Sequence, residues 1–395
     1  MSDGLASMRF DEYMDEALYG SGGFYTRGGQ PGLRGGDFAT SVELGSLFGR
    51  CVAGYLDRTW HELGQPDPFT VIEGGAGRGK LCLDVLAHVV ECNDALRYVM
   101  VERVAHQRDA ALAAVLEPEA GHVAETLEDP SNAVPPHPPV LTAPDLPTGP
   151  HVGVVLANEL LDNLPFRLLE RSATGWQEVY VTWAAPDAAA PDAASGAGFV
   201  HTAPALGVGP RADVALRAPT EAVQVLQTAP ADAAAMAEAL APDAEPGAQV
   251  PLQLRAAVWM RRALGLLGRG RVLVFDYGVR ATAELAARQQ AEWLRTYRAQ
   301  RRGHEPLRDP GSADITCEVA FDQLPAGVVL STQADWLAGA GIDELTAGAR
   351  ALWERSRSNP TADALAARAL LSEAAALTDP TGMGAFWAAE WHVAQ

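Results

Sequence analysis

The residues best placed to do chemistry stand in FTVIEGGAGRGKLCLDVL, Phe69 to Leu86, where a carboxylate, four glycines and a lysine separate an apolar run from an apolar helical pattern. Two registers run through this stretch. Gly74 to Lys80 spells G-x-x-x-x-G-K, a phosphate-cradling loop, but that chemistry needs a Ser or Thr hydroxyl next to hold magnesium and Leu81 stands there. The other register, Glu73-x-Gly75-x-Gly77-x-Gly79, sets a carboxylate at a strand end and lets backbone lie close against a ligand without a pyrophosphate. A carboxylate at that point suits a ligand that carries positive charge. A second carboxylate, about 20 residues further on, would close the next strand and hydrogen-bond ribose hydroxyls. Arg97 to Val101 reads as such a strand, and Glu102 ends it. The plain alternatives are a bare tight turn for the glycines and a solvated first-turn side chain for Lys80, the only lysine of the chain.

The elements that must hold these residues alternate between strand and helix patterns. Thr70–Ile72 is expected to be a buried strand handing over to a helix from Leu81, the position at which doubly wound sheets bind ligands. Met8–Tyr19 has Phe10, Met14 and Leu18 on one helical face, and Thr40–Leu63 carries Leu44, Leu47, Phe48, Cys51, Val52 and Tyr55 with helical period. Between them lies a glycine-rich segment that either floats or closes over a site. Further strands are expected at Val152–Ala157 and in RVLVFDYG, a hairpin around Ala173–Gly175, and helices after Glu102, near Gln253–Leu267 and over Leu285–Gln300. The whole implies an α/β fold, a mainly parallel sheet with helices on both faces. We divide it into an N-terminal helical and glycine-rich lid segment (1–64), a cofactor-binding core (65–183), an Ala/Pro-rich insert without a dense core (184–250), and the rest of the core with C-terminal helices (251–395).

Composition narrows the function. The 395 residues, 48% hydrophobic, can bury a large core, and a net charge of −20 with no basic stripe argues against nucleic acid as a partner. The acidic charge would steer a basic partner or simply keep a large protein soluble. No apolar stretch approaches membrane-spanning length and the first residues lack a signal-peptide pattern, so a cytoplasmic protein without membrane insertion is expected. Cys51, Cys82, Cys92 and Cys317 show no ligand spacing; buried free thiols and no metal are expected.

The Glu73 to Gly79 register is the E/D-x-G-x-G-x-G pattern of class I S-adenosylmethionine-dependent methyltransferases, whose cofactor presents a sulfonium and an ammonium. Landmarks along the chain make the likeness more specific: FDEYMDEALYGSGGFY near the start, GDFATSVE at Gly36–Glu43, VERVAHQRDAAL from Val101, LANELLDNLP from Leu156, FDYG from Phe275, DPGSADIT from Asp309 and LTDPTGMGAFW from Leu377. Together they resemble the MidA-like methyltransferases related to the mitochondrial complex I assembly factor. The family usually has leucine where Gly74 stands, proline for Ala76 and Val42, and a small hydroxyl or apolar residue for Lys80.

The resemblance implies a Rossmann-like fold and S-adenosyl-L-methionine as cofactor, held by Glu73, Gly75, Gly77, Gly79, Glu102, Asn158, Asp37 and Thr40. It also implies methylation of a protein arginine, in the mitochondrial relative on a respiratory-complex subunit. For a guanidinium acceptor the orienting carboxylates would be Glu159 and Asp162, with Asn158 facing cofactor and acceptor through its amide. The alternatives stay open: Asn158 and Asp162 as turn caps, Thr40 or Ser41 as a helix cap with Glu43, Asp276 and Tyr277 as channel or structure, His304 and Glu305 as solvated loop. A small-molecule acceptor and a non-catalytic assembly role are the competing functions.

Overall fold

A computed structural model describes residues 7–29, 40–117, 124–129, 134, 139–183 and 222–394. Its centre is an eight-stranded sheet in the order Val329–Thr332, Trp387–Val393, Leu267–Asp276, His151–Asn158, Phe69–Gly74, Leu96–Val101, Val140–Ala143, Ala124–Thr126. The six strands from Leu267–Asp276 onward run parallel; Trp387–Val393 pairs antiparallel with Leu267–Asp276, and the edge strand Val329–Thr332 pairs antiparallel with Trp387–Val393. Successive residues of each inner strand enter different cores, which is why these strands read as unbroken apolar runs. Val71, Tyr98, Met100, Val154 and Leu156 pack with helices Leu47–Glu62 and Lys80–Leu86, while Ile72, Val99, Val155 and Val272 pack with helix Leu254–Gly265 on the opposite face.

A second, antiparallel sheet joins Met8–Arg9, the hairpin Arg167–Ser172 and Gly175–Trp183, and strands Ala222–Thr228 and Gln249–Leu252. Helix Phe10–Tyr19 buries Phe10, Met14 and Leu18 between this sheet and the strands Leu294–Arg298 and Asp314–Cys317, as its four-residue spacing predicts. Here the structure corrects one expectation. The Ala/Pro-rich stretch was expected to lack a dense core, yet its later part forms strand Ala222–Thr228 and helix Ala231–Leu240. Ala233 and Ala237 are buried against Leu169, Trp176 and Val250 of the hairpin sheet. Alanine packs there because its small face lets the helix lie close to Trp176; residues 184–221 lie outside the described residues.

Two helices also differ from their expected extent. The one expected from Thr40 starts at Leu47, after a single 3-10 turn over Ser41–Leu44. Gly45 breaks it: a β-carbon there would fall 2.2 Å from Glu373, whose carboxylate instead accepts the Leu47 N–H at 2.6 Å. The expected helix over Leu285–Gln300 is two short helices, Thr282–Ala286 and Gln290–Trp293, followed by strand Leu294–Arg298. That strand pairs with Asp314–Cys317 and with Arg301–Gly303, and tertiary pairing overrides the helical propensity of the sequence. All four cysteines are buried and unpaired, and no helix among the described residues is long and apolar enough to cross a membrane.

Candidate active site

Three neighbouring strands end level with one another. Gly74 pairs with Val101 on one side and Ala157 on the other, so Glu73, Glu102 and Asn158 lie along one carboxyl edge. The turn that follows Gly74 has Gly75, Gly77 and Gly79 at φ of +68°, +54° and +79°. The sequence suggested glycine for close approach of backbone to a ligand; the structure adds that all three adopt the left-handed region that other L-residues enter at a cost. Gly75 and Gly77 line a cavity of about 440 Å³, a size typical of small-molecule sites. Gly79 does not reach it and instead starts helix Lys80–Leu86, where a β-carbon would crowd the Met100 sulfur at 3.0 Å.

Glu73 and Glu102 both border that cavity. Glu73 is buried and accepts the Tyr98 hydroxyl at 2.8 Å. Burial pushes its carboxyl up to about 8, against the Tyr98 hydrogen bond and with the help of negative Glu102. Glu102 accepts the Gly77 N–H at 3.0 Å and the Val104 N–H at 2.8 Å, tying the glycine turn to the start of helix Ala105–Leu116. Those two bonds leave about half of its acceptor directions for a ligand. Lys80 is half-buried and held by partners: it donates to the Gly45 carbonyl at 2.9 Å and pairs with Asp84, joining the loop helix to the segment before Leu47 on the cavity wall.

The third strand continues into Glu159, a non-glycine residue at φ +50°. Its Oε1 accepts the Ser41 N–H at 3.0 Å and the Asn158 Nδ2 at 3.2 Å, and burial pushes the carboxyl up to about 8. Asn158 and Glu159 line the first cavity, and Asn158 Oδ1 is buried there with no hydrogen-bond partner. Thr40 is buried on the same wall; its side chain makes no cap to the following turn, and Ser41 Oγ bonds Gln333 Oε1 instead. Asp37 lies outside the described residues.

Asp162 faces elsewhere. It lines a second cavity of about 550 Å³ with Tyr277, Arg295, Asp314 and Glu318, and Glu159 and Asn163 belong to the walls of both cavities. Burial raises Asp162 to about 7, and its Oδ1 has no partner. Asp276 is structural: fully buried, it accepts the N–H groups of Leu161, Asp162 and Tyr277 at 2.9, 3.3 and 2.9 Å and so fixes the turn that carries Asp162. Asp314 was not singled out by the sequence. Its Oδ1 accepts the Tyr25 hydroxyl and Asn163 Nδ2, both at 3.0 Å, its Oδ2 has no partner, and burial raises it to about 7. It falls in the DPGSADIT landmark, but nothing local gives it a role, because its partner Asn163 is 151 positions away. Among the described residues no group of His, Cys, Asp and Glu has a metal-holding arrangement.

The profile of a family described as "Putative S-adenosyl-L-methionine-dependent methyltransferase" matches residues 51–337, spanning the glycine turn, Glu73, Glu102, Glu159, Asp162 and Asp314. The chain belongs to this methyltransferase family. A crystal structure of a Burkholderia thailandensis protein bound to S-adenosyl-homocysteine superposes with a TM-score of 0.71, at 25% identity over 97% of this chain and 87% of that one. The protein arginine methyltransferase NDUFAF7 homolog of Drosophila melanogaster is 28% identical over 78% of this chain, a match that spans 64% of the fly protein. The Xenopus tropicalis NDUFAF7 is 25% identical over 84% of this chain and 71% of its own length. The first cavity of this methyltransferase fits the family's cofactor. Its volume suits a nucleoside, and the buried, unpartnered Asn158 Oδ1 and the carboxylates of Glu73 and Glu102 suit a ligand that brings hydroxyls, N–H donors and positive charge.

Proposed function

We propose that the chain methylates arginine side chains of a protein, holding S-adenosyl-L-methionine in the first cavity and the acceptor guanidinium in the second. Bound S-adenosyl-L-methionine would supply an electrophilic methyl group on its sulfonium. Glu102 has acceptor capacity left for ribose hydroxyls, Glu73 and Asn158 face the cationic end, Gly75 and Gly77 let the backbone approach, and Gly79 acts through the turn's conformation. Thr40 closes the wall, and Asp37 precedes it in the same sequence landmark. On the acceptor side Glu159 and Asp162 Oδ1 accept guanidinium N–H groups and fix the plane of the attacking nitrogen. A bound cation draws both carboxyls toward their ionised form. Asp162, raised to about 7, can then take up at Oδ1 the proton that the methylated nitrogen releases.

The observation that carries this reading is the position of Glu159 in the wall common to both cavities, beside unpartnered carboxylate oxygens that call for a cation with N–H donors. The names of the fly and frog relatives support arginine in particular. The test is to incubate the protein with isotopically labelled methyl donor and a cell lysate, separate the products by size, and hydrolyse the protein fraction. Label in methylarginine is expected; label confined to small metabolites would replace this reading with a small-molecule methyltransferase.

A further inference from the structure

The second cavity has an acidic interior, and one hairpin on its wall is basic. Leu294–Arg298 and Arg301–Gly303 hold arginines at 295, 298, 301 and 302 and no carboxylate, in a chain with 50 acidic and 30 basic residues. Arg295, Tyr297 and Gln300 of this hairpin line the cavity. Arg302 is the cross-strand partner of Tyr297 and so stands on its cavity-facing side, its guanidinium 3.4 Å from the Ala291 carbonyl, while the next pair, Arg298 and Arg301, lies on the opposite face of the hairpin beside the turn. Ala299 and Gln300 both have positive φ, +46° and +61°, the geometry of a tight two-residue hairpin turn that sets the tip's position firmly. Arg295 shares Glu318 with Arg288, each at 2.5 Å, while Arg298, Arg301 and Arg302 are exposed, and among the described residues their one ion pair, Arg298 with Asp309 at 3.2 Å, is a surface contact.

We infer that this hairpin binds acidic residues flanking the acceptor arginine of a protein substrate. The inference rests on the proposed arginine methylation and narrows it. A lone guanidinium approaching this hairpin meets like charge, and an acidic peptide approaching the rest of the surface meets a net charge of −20. Only a segment that brings a cation for Glu159, Asp162 and Asp314 together with an anion for Arg302, and a further anion for Arg301 as it passes around the hairpin tip, complements both layers. The hairpin therefore acts as a specificity filter that the interior carboxylates alone do not provide.

The test uses two fluorescein-labelled peptides with one central arginine, flanked on both sides by glutamates in one and by glutamines in the other. Anisotropy at low salt should show the glutamate peptide binding about tenfold tighter, the sum of a few exposed ion pairs, with the gap closing at high salt. The double variant Arg301→Glu, Arg302→Glu should lose that preference while keeping S-adenosyl-homocysteine affinity, and where the peptides turn over, the change should fall on KM and not on kcat. Equal binding of the two peptides by the parent, or an undiminished preference in the variant, overturns the inference. A preference that the variant abolishes, with neither peptide methylated, sustains the hairpin's role and counts against arginine methylation instead.

Discussion

Ser41 donates its backbone N–H to the Glu159 carboxylate at 3.0 Å, joining residues 118 positions apart. The segment that follows the glycine-rich stretch is thereby anchored to the wall between the two cavities, and Ser41 Oγ extends the link to Gln333, which donates on to the Leu377 carbonyl. Glu159 thus has two duties, one to the entrance segment and one to whatever occupies the cavities. A glutamine of the same shape keeps the first and loses the charge needed for the second.

Glu159→Gln should consequently lower turnover by about a hundredfold or more, the size of effect seen when a positioned acid or base group is removed. Calorimetry with S-adenosyl-homocysteine should give nearly the parent's affinity. A variant as active as the parent would show that the acceptor is oriented elsewhere.

Glu73 and Glu159 titrate near 8 in the fold against 4.5 for an exposed glutamate, raised chiefly by burial. Their folded values lie above the unfolded ones, so the stability they contribute is complete below the unfolded value and is lost as pH rises through the folded one. Asp162 and Asp314, raised to about 7, act in the same direction. The ligand-free protein should therefore melt at progressively lower temperature between about pH 5 and about pH 8. Glu159→Gln should flatten that slope in the same melts; a slope identical to the parent's would remove Glu159 from the titrating set.

Removing the Glu102 carboxylate leaves the Gly77 and Val104 N–H groups without an acceptor. Glu102→Ala should weaken S-adenosyl-homocysteine binding by about 1.5–3 kcal/mol, the range for a hydrogen bond to a charged group. Unchanged affinity by calorimetry would take the residue out of the site.

Gly74 stands where the resembled family usually has leucine, and the structure explains the departure. A β-carbon at Gly74 would lie 2.4 Å from Trp259 Cζ2, so the indole fills the room a side chain would use. Gly74→Ala should cost about 1–3 kcal/mol by overpacking, and much less in a Trp259→Ala background. Denaturant melts of the four proteins give the coupling directly, and additive losses would show that the two positions do not compete for space.

How much was legible depended on distance along the chain. Glu73, the glycines and Glu102 fall within 30 consecutive residues, so strand, turn and strand could be read locally, and the expected α/β fold follows from that alternation. The second cavity could not be read this way, because Asp314 meets Asn163, and Tyr25 meets Asp314, only through the folded chain. Leu294–Arg298 hid a strand inside a stretch of helix-forming residues, and its period-two pattern, Leu294 and Thr296 buried against Arg295 and Tyr297 on the cavity side, was too short to prevail without its partners. The sequence placed Asp162 beside Glu159 by proximity; the turn held by Asp276 sends its side chain into the neighbouring chamber.

Lys80, clamped between Asp84 and the Gly45 carbonyl, is the chain's single lysine and lies on the wall of the first cavity. Apart from the amino terminus, amine-directed reagents therefore have one address along these 395 residues. A fluorophore attached there reports from the ligand chamber without any engineered cysteine, and shielding of that amine becomes a label-free footprint of occupancy.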